Sequence, residues 1–136
     1  MARIATVSFS KFRSKEEEFF NLLSRNLPQF VPALSGYRVG RVTYEGKTFH
    51  MGAVKYTPDF NLVLWNTDME LDDTKLVNVE VKGSKKQRGY DQTRAKLKIA
   101  AGMYPEYTWI EVVVDAREKV FDSFEIIAVG SIDTGS

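Results

Sequence analysis

The sequence contains no cysteine, and this absence excludes several classes of protein. Neither a disulfide framework nor a thiolate zinc site can form without thiols. A chain of this kind fits a reducing compartment, so we expect a cytoplasmic protein. Long apolar runs are also lacking: none approaches the roughly 18 residues of a membrane-spanning helix, and the N-terminus has no signal-peptide pattern. We therefore expect no membrane partner.

A strong charge of one sign is absent as well, since the net charge is only +1. The charges are nevertheless unevenly distributed along the chain. Acidic residues collect in the segment Asn66–Asp73, whereas basic residues crowd the segment Lys82–Lys98, whose only acid is Asp91. Bulk electrostatics therefore does not indicate a nucleic-acid-binding protein, but one segment of the chain could provide a basic surface.

The hydrophobic pattern predicts an α/β fold, in which a mixed central β-sheet is flanked by helices. At 136 residues we expect one domain over residues 1–130, followed by a flexible tail at residues 131–136. The expected elements are, in order, a strand at Ala2–Phe9, a helix at Ser14–Leu27, a loop bracketed by Pro28 and Pro32, a hairpin of Tyr37–Tyr44 with Lys47–Val54, a hairpin of Lys55–Trp65 with Val79–Lys82, a helix at Arg88–Tyr104, and strands at Trp109–Val114 and Phe124–Val129.

The second of these hairpins carries the most informative residues. Side chains two apart on a strand point to the same face, so Glu80 and Lys82 project together while Val79 and Val81 pack behind them. A turn near Met69 would bring Asp59 across from Glu80. The sequence therefore predicts that two carboxylates and one ammonium group converge on one patch of sheet.

This set of groups suits phosphodiester hydrolysis. Asp59 and Glu80 offer hard oxygen ligands of the kind that Mg²⁺ prefers. A bound metal lowers the pKa of water and neutralises charge that develops on phosphorus. Lys82, beside the carboxylates, could orient the attacking water. The plainer alternative is that Glu80 and Lys82 form a solvated pair on a strand, with Pro58-Asp59 serving only the strand edge.

A third acid, Glu17, can be interpreted in two ways. Ser14 and Glu17 have the spacing of a capping box, which satisfies free amides at a helix start. On a helical wheel Phe19, Phe20, Leu23 and Leu27 form the buried stripe, with Glu16 within it, Glu17 at its edge and Glu18 opposite. An edge position suits a residue that reaches from helix to sheet. Glu17, with Glu16 as its substitute, is thus the helix acid that could reach the two carboxylates of the sheet.

Pro58-Asp59 followed by Glu80-Val81-Lys82 resembles the signature of the PD-(D/E)XK nucleases. Within that superfamily, the chain resembles the small phage nucleases of the endonuclease I, or Holliday-junction resolvase, type. The resemblance implies a restriction-endonuclease-like core, a Mg²⁺ cofactor that Mn²⁺ can replace, and a metal site formed by Asp59, Glu80, the Val81 carbonyl and Glu17. It also implies that Asp59, Glu80, Lys82 and Glu17 are the catalytic residues.

The sequence departs from that family in one respect. The gap between Asp59 and Glu80 is about twice as long as in the endonuclease I type, and the acidic segment Asn66–Asp73 fills it. An extended hairpin tip is the simplest interpretation. The departure leaves open the preference for junctions and the swapped dimer of that family, although a resolvase that makes two symmetric cuts implies a C2 homodimer.

The basic segment follows directly after the predicted site. Lys85 and Lys86 leave the strand of Lys82, and Arg88, Arg94 and Lys98 belong to the next helix, where the last two share a face. These five residues are candidates for contacts with DNA phosphates, which position a duplex without reading its sequence. The alternative is an ordinary solvated helix face.

The expected function is a Mg²⁺-dependent DNA endonuclease. A sequence-specific nuclease of the homing or restriction kind remains an alternative, as does a nuclease subunit targeted by a larger complex. A different class is a non-catalytic nucleic-acid-binding or assembly module that kept the fold. The substrate cannot be read from the sequence, because branched, nicked, flapped or linear DNA would each use the same cutting site.

Overall fold

A five-stranded mixed sheet forms the centre of the computed structural model, which describes residues 11–66, 73–83 and 90–130. The strand order in this sheet is β1-β4-β5-β6-β7, and β2 and β3 form a separate antiparallel pair. The strands are β1 Tyr37–Tyr44, β2 Phe49–Met51, β3 Val54–Tyr56, β4 Phe60–Asn66, β5 Thr74–Lys82, β6 Thr108–Asp115 and β7 Val120–Ala128. The expected strand at Ala2–Phe9, the hairpin turn near Met69 and the tail at residues 131–136 lie outside the described residues.

The described residues form three α-helices beside the sheet: α1 Lys15–Leu23, α2 Leu27–Phe30 and α3 Tyr90–Met103. Within the main sheet only β5 and β6 are parallel, and α3 makes the crossover between them, as a parallel connection requires. The other neighbours in this sheet are antiparallel. The expected single-domain α/β fold with a mixed sheet is therefore confirmed. No helix in the described part of the chain is long and apolar enough to cross a membrane.

The segment after α1 is more helical than the sequence predicted. A 3₁₀ turn at Ser24–Asn26 leads directly into α2, and a second 3₁₀ turn covers Pro32–Leu34. The expected loop between the two prolines was therefore wrong. Pro28 and Pro32 each lie at the start of a helical turn, where the missing N–H has no intrahelical partner to lose.

The first predicted hairpin was also wrong, because β1 pairs with β4 rather than with the segment that follows it. Glu45 adopts a left-handed conformation with φ 49° and donates its N–H to the Asp59 carbonyl at 2.8 Å. Gly46 donates its N–H to Asn61 Oδ1 at 2.9 Å. These bonds hold the chain against the start of β4, so it cannot turn back along β1.

Apolar residues cover both faces of the sheet. One cluster packs α1 and α2 against alternate residues of the strands, including Val77, Val79 and Val81 of β5. The second cluster packs α3 and the β2–β3 pair around Trp109, which is fully buried and donates Nε1–H to the Tyr104 carbonyl. Because strand side chains alternate, Asn78, Glu80 and Lys82 project from β5 on the side opposite to the valines.

Candidate metal centre

Asp59 and Glu80 lie opposite each other at one end of the β4–β5 pair. Phe60, the first residue of β4, pairs with Val79, and the preceding residue, Asp59, lies beside Glu80. This is the juxtaposition expected from a turn near Met69, although the turn itself lies outside the described residues. Both carboxylates are buried, with 8% and 6% of the residue exposed. Asp59 Oδ2 accepts a hydrogen bond from the Val81 N–H at 2.8 Å, which orients this carboxylate against β5.

Lys82 lies beside Glu80 on the same face of β5. Its Nζ is 3.2 Å from Glu80 Oε2, and only 12% of the lysine side chain is exposed. The other oxygen of Glu80, Oε1, accepts a hydrogen bond from the Tyr56 hydroxyl. The sequence analysis did not identify Tyr56 as a residue of the site. Its position three residues before Asp59, at the end of β3, was the signal that could have identified it.

Glu17 caps α1 and also lies at this cluster. Its N–H bonds to Ser14 Oγ at 3.1 Å, and its Oε1 accepts from the Arg13 N–H at 2.8 Å and from the Tyr44 hydroxyl at 2.7 Å. The return bond of the capping box therefore goes to Arg13 rather than to Ser14. The Glu17 carboxylate therefore bonds at the start of the helix, as in a capping box, and also lies among the acids of the sheet.

The helical wheel misplaced the buried stripe of this segment. Glu17, Phe20, Ser24 and Leu27 are buried, whereas Phe19 and Leu23 are half-buried. The change to a 3₁₀ turn at Ser24 alters the helical period and turns the small serine inward. Glu17 is consequently inside the stripe rather than at its edge, and its neighbour Glu16 is only half-buried.

A fourth acid, Glu45, joins the cluster and was missed by the sequence analysis. One carboxylate oxygen from each of Glu17, Glu45 and Asp59 lies within 4.8 Å of the other two. Glu45 Oε2 also pairs with Arg13 Nε at 3.1 Å, although 76% of the Arg13 side chain is exposed. Glu45 was interpreted as a hairpin turn residue, and no local pattern distinguishes a turn glutamate from a ligand.

The carboxylates of this cluster are buried close together, so their negative charges repel one another. Burial, the negative charge of Glu80 and a hydrogen bond with Glu17 together raise the pKa of Asp59 to about 9. Burial also raises the pKa of Glu80, although the Tyr56 hydroxyl and the Lys82 ammonium oppose that rise. The pKa of the Tyr44 hydroxyl is raised by burial and by its bond to Glu17. A cation would relieve this repulsion between the acids.

The donor set fits a hard divalent cation. Glu17, Glu45 and Asp59 each place one carboxylate oxygen within 4.8 Å of the other two, and Glu80 adjoins this group through Asp59. Carboxylate oxygens suit Mg²⁺ and Mn²⁺ and do not suit softer metals. Val81, the remaining candidate ligand, is buried between Glu80 and Lys82, and its N–H already bonds to Asp59. Its carbonyl is the group that the nuclease resemblance assigns to the metal.

The structure describes only two of the five candidate DNA-binding residues. Lys85, Lys86 and Arg88 lie outside the described residues. Lys98 is exposed on α3. Arg94 is different, because its guanidinium pairs with Glu111 Oε1 at 2.7 Å and with Glu125 Oε1 on the sheet beneath. Glu111 is only 3% exposed. Arg94 therefore fastens α3 to β6 and β7.

We expect Arg94→Ala to lower the free energy of unfolding by about 3 kcal/mol, because it removes a charged partner from the buried Glu111 carboxylate. Chemical denaturation measured by circular dichroism would give this value. Lys98→Ala is the matched control, since Lys98 lies one turn further along the same helix and is exposed. Equal stability of the two variants would contradict the structural role of Arg94.

The chain matches no protein-family model, no curated protein and no solved structure. What the cluster does must therefore follow from its own chemistry. Glu17, Glu45 and Asp59 bring carboxylate oxygens within 4.8 Å of one another just before β4, and Glu80 of β5 adjoins Asp59 and pairs with Lys82. This arrangement is a candidate centre for a divalent cation.

Proposed function

We propose that the chain is a metal-dependent DNA endonuclease of the PD-(D/E)XK type with a restriction-endonuclease-like core. The observation that carries this proposal is the convergence of Asp59, Glu80 and Lys82 on one buried patch, with Glu17 reaching it from α1. Asp59 and Glu80 are 21 residues apart in sequence, and Glu17 precedes Asp59 by 42 residues. The mixed sheet with helices on both faces supports the same assignment.

Each residue then has a defined role. Asp59, Glu80, Glu17 and the Val81 carbonyl would hold Mg²⁺, with Mn²⁺ as a substitute, and Glu45 would add a further oxygen. A cation bound there would supply a hydroxide near neutral pH and would stabilise negative charge on the phosphate. Lys82 is buried beside Glu80, so its ammonium can orient the attacking water and hydrogen-bond to the developing negative charge.

DNA would approach from the side on which α3 follows β5. Lys98 is exposed there, and Lys85, Lys86 and Arg88 precede α3 in sequence. Arg94 supports this surface by fixing α3 rather than by binding phosphate. Two symmetric cuts in branched DNA would require a homodimer. We do not assign the endonuclease a preferred DNA shape or sequence.

Cleavage of labelled linear, nicked, flapped and four-way-junction DNAs tests this proposal. We expect at least one substrate to be cut in Mg²⁺ or Mn²⁺ and none in EDTA. Lys82→Met should cut at least about a hundredfold more slowly, because a positioned proton donor or acceptor typically contributes that much. Its metal affinity should stay close to wild type, since Lys82 is not a ligand.

Two results would count against the proposal. Metal-dependent cleavage that persists at the wild-type rate in Lys82→Met would indicate a contaminating nuclease. Binding to DNA without cleavage of any substrate in either metal would instead favour a non-catalytic nucleic-acid-binding module.

A further inference from the structure

Tyr56 connects the separate β2–β3 pair to the metal centre. It is the last residue of β3 and only 5% exposed. Its ring belongs to the apolar cluster around Trp109, and the centroids of the two rings are 6.4 Å apart. Phe49 of β2 meets Trp109 edge-on at a centroid distance of 4.9 Å. Packing against α3 and β6 therefore fixes where the Tyr56 ring lies.

The hydroxyl at the end of this ring bonds to Glu80. It donates its single proton to Glu80 Oε1, and the bond is buried. The other oxygen, Glu80 Oε2, lies 3.2 Å from Lys82 Nζ. A phenol keeps its proton near neutral pH. Glu80 is therefore held by a neutral donor on one oxygen and by an ammonium group on the other.

Packing alone does not account for a tyrosine at position 56. A phenylalanine would fill the same space in the apolar cluster, and a buried hydroxyl costs free energy unless it is hydrogen-bonded. Most side-chain hydrogen bonds are made to the backbone or to water. Tyr104, which packs against the same cluster, follows this rule, since its hydroxyl donates to the His50 carbonyl at 2.7 Å. The Tyr56 hydroxyl instead bonds to a candidate metal ligand.

A second glutamate of the centre has the same kind of partner. Tyr44 donates its hydroxyl to Glu17 Oε1 at 2.7 Å, and its ring lies 5.3 Å from that of Phe60. Two acids that reach the centre from different elements, α1 and β5, therefore each accept a phenol proton. Carboxylates that bind metals are commonly hydrogen-bonded in this way by groups that do not touch the metal.

We propose that Tyr56 is a positioning residue, which holds Glu80 in the orientation that receives the divalent cation. The phenol fixes Oε1, so Oε2, the oxygen beside Lys82, is presented to the ion. Without the phenol, the carboxylate can turn both oxygens toward the Lys82 ammonium, and that pair competes with the ion. The β2–β3 pair then has a function, since it carries the tyrosine. This role rests on the proposed function, because it requires Glu80 to be a metal ligand.

Binding of Mn²⁺ in the absence of DNA tests this role without requiring cleavage. Calorimetric titration would compare wild type with Tyr56→Phe, which keeps the ring and removes the hydroxyl. We expect the Kd for Mn²⁺ to rise at least about tenfold, the usual cost of removing a hydrogen-bond partner from a metal ligand. Tyr104→Phe is the matched control, because its hydroxyl bonds to the His50 carbonyl and not to an acid. Its Kd should equal that of wild type.

A double-mutant cycle with Glu80→Gln separates positioning from a general loss of structure. Tyr56→Phe should not weaken Mn²⁺ binding further when Glu80→Gln is already present, because the carboxylate that the phenol holds is gone. Thermal melting in EDTA would verify that each variant folds. The double variant leaves no buried carboxylate without its donor. Its comparison with Glu80→Gln alone therefore remains possible if Tyr56→Phe melts at too low a temperature.

An unchanged Kd in Tyr56→Phe would overturn the positioning role, as would an equal loss of affinity in both backgrounds. Cleavage separates this role from the nuclease function. Weaker Mn²⁺ binding in Tyr56→Phe without cleavage of any DNA would remove the nuclease function and keep the positioning role. Cleavage by wild type with an unchanged Kd in the variant would remove only the positioning role, and absence of Mn²⁺ binding by wild type would overturn both.

Discussion

Asp59→Asn is expected to reduce Mg²⁺-dependent cleavage by at least about a thousandfold while the chain stays folded. Asp59 lies opposite Glu80 and within reach of Glu17 and Glu45, so it is the carboxylate common to the whole cluster. Metal assistance supplies several kcal/mol of transition-state stabilisation, and each 1.36 kcal/mol corresponds to a tenfold change in rate. Single-turnover rates on the best substrate would measure the loss.

The fold should tolerate this substitution. An asparagine can keep an acceptor oxygen toward the Val81 N–H, and it removes a negative charge from a crowded, buried group. Glu16→Gln is the matched control, because Glu16 is a half-buried acid next to Glu17 and should cut at the wild-type rate. Wild-type cleavage by Asp59→Asn would exclude Asp59 as a ligand. Glu80→Gln should show a loss of the same order.

The metal-free protein is expected to lose stability as the pH rises from about 4 toward about 9. The pKa of Asp59 is about 9 in the folded chain and near 4 when it is unfolded, so the folded state holds the extra proton across this window. The stability that this proton contributes is fully present below the pKa of Asp59 in the unfolded chain. It is lost as the pH rises through the pKa of Asp59 in the folded chain. The raised pKa of Glu80 acts in the same direction.

Mg²⁺ should counteract this loss, because it binds the deprotonated carboxylates. We therefore expect the increase in melting temperature caused by Mg²⁺ to be small at pH 5 and to reach several degrees at pH 8. A ligand at about a hundred times its Kd stabilises a protein by about 2.7 kcal/mol. Thermal melts in EDTA and in Mg²⁺ across this range would measure both effects. Asp59→Asn should flatten the pH dependence, and an equal Mg²⁺ effect at all pH values would contradict the linkage.

The parts of the site that follow strand alternation could be predicted from sequence. The pattern of Val79–Lys82 predicted the face of Glu80 and Lys82, and the expected turn near Met69 predicted that Asp59 lies beside Glu80. These predictions succeed because a one-residue slip would expose the apolar face of the pair. The strand at Thr108–Asp115 was equally visible, since β-branched residues dominate it.

Features that depend on contacts distant in sequence could not be predicted in this way. The pairing of β1 with β4 rests on bonds from Glu45 and Gly46 to residues about fifteen positions later. The same bonds bring the Glu45 carboxylate to the cluster. In the sequence alone, Arg94 likewise resembles a solvent-exposed cation on a helix. In the folded chain it pairs with the buried Glu111 of β6. In each case the partner, and not the local pattern, decides the role.

The hydrogen bonds that hold Glu17 at the start of α1 also affect the affinity of the cluster for a cation. Oxygen Oε1 is held by the Arg13 amide and the Tyr44 hydroxyl, so the side chain is immobilised when α1 forms. The conformational entropy of this carboxylate is therefore lost during folding and not when an ion arrives. A preorganised ligand of this kind can receive a cation with little rearrangement, and the helix keeps its cap in both states.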